Sequence, residues 1–366
     1  MASTSFPLTE EQRRMYAEEK LDNFRWISKI VATYSPYTLT DADLAPDSLH
    51  QELAEIGQFA EVVYSAKSLP IHHVFAQSAS LTQPGLPLEH YAAIRDSILV
   101  DSFHGSFGGL ATYIAYRPST SQLIVSISGT ASVRHALQDL RVVRTSHPSG
   151  RGAVHSGFWA LYQGIKPRVI EALQKGVEAH SPAEIVLTGH SMGGSVAYLL
   201  CIDLLSEEDL PLSDLRVQVA VFGSPRTGDS DLVSYFHELI ALYRKRKGND
   251  NGFKEYSVKG YNDGVPALPP TRLGYRHFCQ EPIYTVGGKL YRTPSTECEH
   301  ALFHVVPSDT GVRLFPKGGH NYYNGRDLER FSRRISWLNR AIPEKEGWED
   351  RYMDILRRNS VEALRE

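Results

Sequence analysis

Ile185-Val186-Leu187-Thr188-Gly189-His190-Ser191-Met192-Gly193-Gly194 is the stretch on which the reading of this chain turns. Glu184 to Thr188 has the length and apolar content of a buried strand. Ser195 to Leu205 carries Val196, Leu199, Leu200, Ile202 and Leu204, so it reads as a helix that is apolar over most of its circumference. Between them lies Gly189-x-Ser191-x-Gly193. A strand that breaks into a helix through such a turn forces the serine into a strained backbone conformation and leaves its oxygen exposed at the strand end. The flanking positions are glycine because side chains there would collide. A bare G-x-S-x-G arises by chance in about one chain in ten of this length, so the strand and helix around it carry the argument. The bland alternative is a glycine-rich turn holding an ordinary serine.

A serine hydroxyl is a poor nucleophile at neutral pH. It needs a base within hydrogen-bond reach and an acid that orients the base. When such a turn belongs to a hydrolase, the three follow in the order serine, acid, histidine. Asp263, in Tyr261-Asn262-Asp263-Gly264-Val265-Pro266, falls at the carboxyl end of a strand candidate, where parallel sheets place functional residues. His320 lies in Gly318-Gly319-His320-Asn321-Tyr322-Tyr323, a glycine-led loop able to lay an imidazole over the sheet edge. His277 reads as a packed or surface residue, and His300 and His304 remain as alternative bases. Asp203 faces away along the helix behind the serine, while Asp229 and Asp231 read as solvated in a polar turn.

The whole chain sets bounds on these choices. Its 366 residues are 42% hydrophobic and 22% charged, which is ordinary for a globular protein and long enough for a sizeable core. A formal net charge of -3 gives no general attraction to nucleic acid. The basic run Arg244-Lys245-Arg246-Lys247 reads as a solvated loop. Met1 to Lys20 is polar, and no run of about 18 apolar residues occurs, so neither a secretory signal nor a spanning helix is expected. Cys201, Cys279 and Cys298 have no metal-ligand spacing. An odd count without an export signal points to reduced thiols and a cytoplasmic location.

The first third reads as helical, with Thr9 to Gln12 and Ser48 to Gln51 both fitting a capping box and Pro36 and Pro46 marking the connection. Leu110 to Tyr116 and Leu123 to Ser128 read as a hairpin. Further strand candidates are Arg216 to Phe222, Tyr256 to Tyr261 and Ile283 to Thr285. Strands alternating with helices predict an α/β fold, with a mostly parallel central sheet flanked by helices. A final helix is expected over about Trp348 to Leu364, docked through Trp348, Tyr352 and Ile355.

Five blocks in register resemble the class 3 lipases, which include the fungal triacylglycerol lipases. They are Ile127 to Thr130, Val154 to Phe158, Thr188 to Gly194, Val221 to Gly228, and the unusually specific Tyr261 to Pro270, reading Y-N-D-G-V-P-A-L-P-P. The resemblance spans about residues 110 to 325 and implies an α/β-hydrolase fold. It implies Ser191 as nucleophile, Asp263 as orienting acid and His320 as general base, with an oxyanion hole from the backbone amides of Thr130 and Met192. Two departures stand out: Ser128 where the family often has arginine, and Ala136 where the best-known fungal enzymes have a lid tryptophan. Residues 131–140 occupy the place of the lid, with Val133, Ala136, Leu137 and Leu140 at helical spacing. The expected layout is one α/β-hydrolase domain, with a helical N-terminal layer over 1–66, a catalytic core over 110–325 and a C-terminal helical extension over 326–366. The expected activity is cleavage of carboxylic esters, acylglycerols above all, through an acyl-serine. The alternatives are a short-chain or aryl-ester esterase and a non-catalytic lipase-like scaffold. No cofactor, metal or nucleic-acid partner is expected. The substrate is a small ester or a lipid, which admits peripheral contact with a lipid surface.

Overall fold

The computed structural model describes residues 8, 10–17, 23–129, 143–206, 215–248, 252–306, 315–323 and 326–362. Thr130 and the lid candidate 131–140 lie outside the described residues. An eight-stranded sheet forms the centre: β1 (Ile98–His104), β2 (Ala111–Arg117), β3 (Gln122–Ile127), β4 (Glu184–His190), β5 (Arg216–Phe222), β6 (Phe253–Gly260), β7 (Pro282–Val286) and β8 (Lys289–Arg292). In space the strands follow chain order from β1 to β8. The run from β3 to β7 is parallel, while β1, β2 and β8 join antiparallel at the two edges.

The parallel strands are largely buried because both their faces are covered. Every residue of β3 and β4 is buried. Successive side chains alternate between two cores. Ile185 and Leu187 point into one, and Val186 into the other. The helices around the sheet include α1 (Arg25–Val31), α2 (Asp47–Val62), α3 (Ser156–His180), α4 (Met192–Ser206), α5 (Ser230–Lys247), α6 (Leu328–Ala341) and α7 (Trp348–Glu362). Helices α3, α4 and α5 fill the first core with Tyr162, Leu199 and Phe236. The second is filled by Phe59 of α2, Ile335 of α6 and Tyr352 of α7. Trp348 and Tyr352 are buried and Ile355 packs against the same core, as the sequence periodicity requires.

Several local expectations fail for identifiable reasons. Ser48 caps nothing, since α2 begins at Asp47 after Pro46, without a side-chain cap. A capping box forms instead at Thr40, whose amide bonds Asp43 Oδ2 at 2.8 Å. Pro36 lies in a strand, Tyr34–Leu39, that among the described residues pairs with Leu302–Val305 alone; an edge strand tolerates the missing N–H. The basic run Arg244 to Lys247 is the last turn of α5, where cations complement the carbonyl end of the helix dipole. Asp229 is the N-cap of that helix, taking the Leu232 amide at 3.0 Å, and is not a solvated turn residue.

Candidate active site

β4 ends at His190, paired in register with Phe222 at the end of β5. Ser191 follows with φ of 60°, the left-handed region that non-glycine residues seldom adopt. Its amide bonds Phe222 O at 2.8 Å, and its carbonyl takes the Gly194 amide at 3.0 Å. The turn closes this tightly only because its neighbours lack side chains. A Cβ on Gly193 would stand 2.1 Å from Ile127 O, and one on Gly189 would stand 2.5 Å from the Gly193 carbonyl carbon. Ser191 is half-buried at the mouth of this elbow. Met192 opens α4, where helix amides have no intrahelical partner.

Asp263 follows β6, at the same carboxyl edge of the sheet, and is fully buried. Its Oδ1 accepts the Val265 amide at 2.9 Å. Its Oδ2 accepts His320 Nδ1 at 2.8 Å and also the Tyr323 hydroxyl. The carboxylate can only accept, so Nδ1 carries the imidazole proton and Nε2 is the basic nitrogen. The two residues come together at the end of β5, where a Cβ on Gly223 would lie 2.9 Å from Asp263 Oδ2 and 3.1 Å from His320 Cε1. Gly223 directly follows Phe222, the residue that holds the Ser191 amide. Elbow, carboxylate and imidazole therefore share one corner. No hydrogen bond joins Ser191 Oγ to His320 among the described residues. Hydrogen bonds of this kind commonly tighten only when substrate is bound.

The His320 loop is suspended between two other segments. Its amide bonds Asn23 O at 2.9 Å, and the Gly319 amide bonds Tyr261 O at 2.8 Å. A Cβ on Gly318 would stand 2.0 Å from Tyr261 O, which explains the paired glycines ahead of the histidine. Phe24, just before α1, lies edge-on to the His320 ring at 5.2 Å.

His277 is buried and bonds Pro266 O at 2.8 Å through Nε2, as a packed histidine. Burial, with Lys259 and Arg226 nearby, holds its pKa well below the usual value. Asp203 is held by Tyr162 and Lys166, away from the elbow. His300 pairs with Glu297, and His304 stacks on Tyr34; neither ring is joined to Asp263.

Three residues of the site escape sequence reasoning. Tyr323 was legible in part, since it lies in the same short loop as His320. Burial and then the Asp263 charge raise its hydroxyl pKa well above the ordinary value, so it stays a donor. His190 and Tyr64 had no such signal, since the alternation of β4 says nothing of a tyrosine 126 positions earlier that bonds His190 Nδ1 at 2.9 Å.

The family model described as Lipase (class 3) matches residues 124–273. That stretch is similar to the class 3 lipases. The match holds Ser191, Met192 and Asp263, while His320 lies beyond it. The chain is 27% identical over 195 residues to a secreted mono- and diacylglycerol lipase of Fusarium solani, covering 53% of each chain. It is 30% identical over 172 residues to one from Penicillium cyclopium, covering 47% of this chain and 50% of that one. The chain thus spans about half the length of the curated relatives it matches. Among solved structures, the Rhizomucor miehei lipase propeptide complex superimposes with a TM-score of 0.58 at 19% identity, over 82% of this chain and 92% of that one. A lipase from Rhizopus microsporus var. chinensis gives 0.57 at 18%, over 82% and 94%. These likenesses show the α/β-hydrolase fold.

The expected cytoplasmic location is overturned, because the relatives from Fusarium solani and Penicillium cyclopium are named as secreted lipases. The thiols on which that inference rested do not sustain it. Cys201 and Cys279 are free but buried, and burial shields a thiol in any compartment. Among the described residues, no helix is long and apolar enough to cross a membrane.

Proposed function

We propose that this chain is a serine carboxylic-ester hydrolase acting on acylglycerols, with Ser191 as nucleophile, His320 as general base and Asp263 as its orienting acid. The observation that carries this reading is the left-handed Ser191 elbow in the same corner as the buried Asp263–His320 pair, bonded at 2.8 Å. His320 Nε2 takes the Ser191 proton as Oγ attacks the ester carbonyl. Charge grows on the carbonyl oxygen, where the Met192 and Thr130 amides stabilise it; one such donor is worth about 10² to 10³ in rate. The imidazolium then protonates the departing alcohol, leaving an acyl-serine. Water, deprotonated by the same nitrogen, releases the acid and restores the serine. Asp263 stabilises the imidazolium at both stages without itself taking a proton.

The acylglycerol assignment draws on the names of the Fusarium solani and Penicillium cyclopium relatives. Lipid surfaces enter as the physical form of such substrates. For the layout, we propose one α/β-hydrolase domain in which 110–325 form the catalytic unit. The packing of α2, α6 and α7 on a single face of its sheet supports this. The test is a panel of esters from two-carbon to eighteen-carbon acyl chains, soluble and emulsified, run with wild type and Ser191→Ala. Cleavage of long emulsified esters by wild type and its loss in S191A support the proposal. Preference for short soluble esters favours the esterase alternative, and absence of any cleavage favours the scaffold.

A further inference from the structure

Two side chains outside the Ser191–His320–Asp263 set connect both halves of this corner. The Gly129 amide, in the loop after β3, donates to Tyr64 Oη at 3.0 Å. Tyr64 Oη lies 2.9 Å from His190 Nδ1. His190 Nε2 lies 2.7 Å from the backbone carbonyl of His320. The His320 carbonyl can only accept, so Nε2 carries the proton and Nδ1 is the acceptor. Tyr64 must then donate to Nδ1, while its oxygen takes the Gly129 N–H. Every donor in this chain has one acceptor, with no alternative direction.

We propose that Tyr64 and His190 are positioning residues, a neutral bridge that fixes the loop leading into Thr130 relative to the loop carrying His320. This rests on the hydrolase reading for its consequence in catalysis, though not for its geometry. The location supports it. Gly129 directly precedes Thr130, and a Cβ on Gly129 would meet Tyr64 Oη at 2.4 Å and Ser191 Cβ at 3.0 Å. His190 directly precedes the nucleophile, and its ring lies 4.4 Å from that of His320. Its neutrality has a physical cause. Burial, followed by repulsion from His320, lowers its pKa well below the usual histidine value, and Lys67 acts in the same direction. The other titratable groups facing it are Tyr64, Tyr323 and Glu61, which line one small cavity with it. A neutral His190 also spares the site a second positive charge beside the imidazolium that forms on His320.

Such a bridge acts on kcat more than KM, since it sets where the oxyanion donors stand relative to the base; a misplacement near 1 Å costs about 100-fold. The test uses Tyr64→Phe, His190→Asn and the double variant. Tyr113→Phe is the control, because that buried hydroxyl donates to Phe59 O at 2.9 Å and touches neither loop. On a soluble ester we expect kcat to fall about 10- to 100-fold in Y64F and H190N with KM little changed. The double variant should be no worse than the poorer single one, because both cut the same connection. Y113F should keep wild-type kcat. Wild-type kcat in Y64F, additive losses in the double variant, or an equal loss in Y113F overturns the proposal. The ¹⁵N spectrum of the His190 ring tests the bridge without turnover. It should show a neutral Nε2–H form from pH 5 to 8 and should change in Y64F; a ring that titrates in that interval, or is indifferent to Y64F, overturns the bridge. A wild type that cleaves no ester fails the hydrolase reading alone, and the ring spectrum then still decides.

Discussion

Replacing Asp263 by asparagine changes almost no volume, yet the hydrogen bonds around the carboxylate make it a severe perturbation. The wild-type group accepts from three donors: the Val265 amide at Oδ1, and His320 Nδ1 and Tyr323 at Oδ2. An asparagine has one oxygen. If that oxygen keeps the Val265 amide, its NH₂ faces His320 Nδ1 and forces the proton onto Nε2, the nitrogen that must accept from Ser191. If the amide flips, its NH₂ confronts the Val265 N–H. Tyr323 cannot relieve either arrangement cheaply, since its oxygen already accepts the Gly260 amide at 3.1 Å. The wrong tautomer costs about 10⁴ in kcat in serine hydrolases built this way, equivalent to about 5 kcal/mol of activation free energy. The unsatisfied donor costs a further ~1–3 kcal/mol of stability. Steady-state hydrolysis of a soluble nitrophenyl ester measures the first, and urea unfolding the second. A D263N enzyme folded like wild type and within tenfold of its kcat would refute the assignment of the acid and of the imidazole tautomer.

Two further outcomes follow from the geometry. Ser191→Gly should be inactive but more stable than Ser191→Ala by about 1 kcal/mol, because glycine accepts a φ of 60° without strain; equal unfolding free energies would remove the strain from the elbow. Burial raises the Glu255 pKa from 4.5 to about 7. The folded state therefore holds a proton that the unfolded state has released. Its stabilising contribution is complete below pH 4.5 and is lost as pH rises through about 7, a change of about 3 kcal/mol. Glu255→Gln should flatten this dependence between pH 5 and 8 in urea titrations, and an unchanged pH difference in E255Q contradicts it.

The proposed nucleophile turn, acid and base each lie at a boundary that the sequence marks. Ser191 sits between an apolar strand and an apolar helix, Asp263 closes a strand before a proline-rich segment, and His320 follows two glycines. Part of the parallel core was legible for a related reason, since strands buried on both faces leave short apolar runs such as Ile185 to Leu187 and Val219 to Phe222. Edge elements leave weaker signals. β1, reading I-L-V-D-S-F-H, carries a register shift beside Asp101 and exposes Ile98, so alternation never develops. Arg244 to Lys247 looked like a loop because surface charge is common to loops and to helix ends. The bridge through Tyr64 and His190 was invisible for a deeper reason. It depends on a helical segment packing over the end of β4, and one chain gives no local trace of contacts made at such separation.

The central claim is that Ser191 is a reactive alcohol activated by His320. Intact-protein and peptide mass spectrometry after treatment with a fluorophosphonate probe tests it most directly. One adduct per chain on Ser191, lost in Ser191→Ala and strongly slowed in His320→Ala, is the predicted result. No adduct on Ser191, or labelling indifferent to His320, would contradict it.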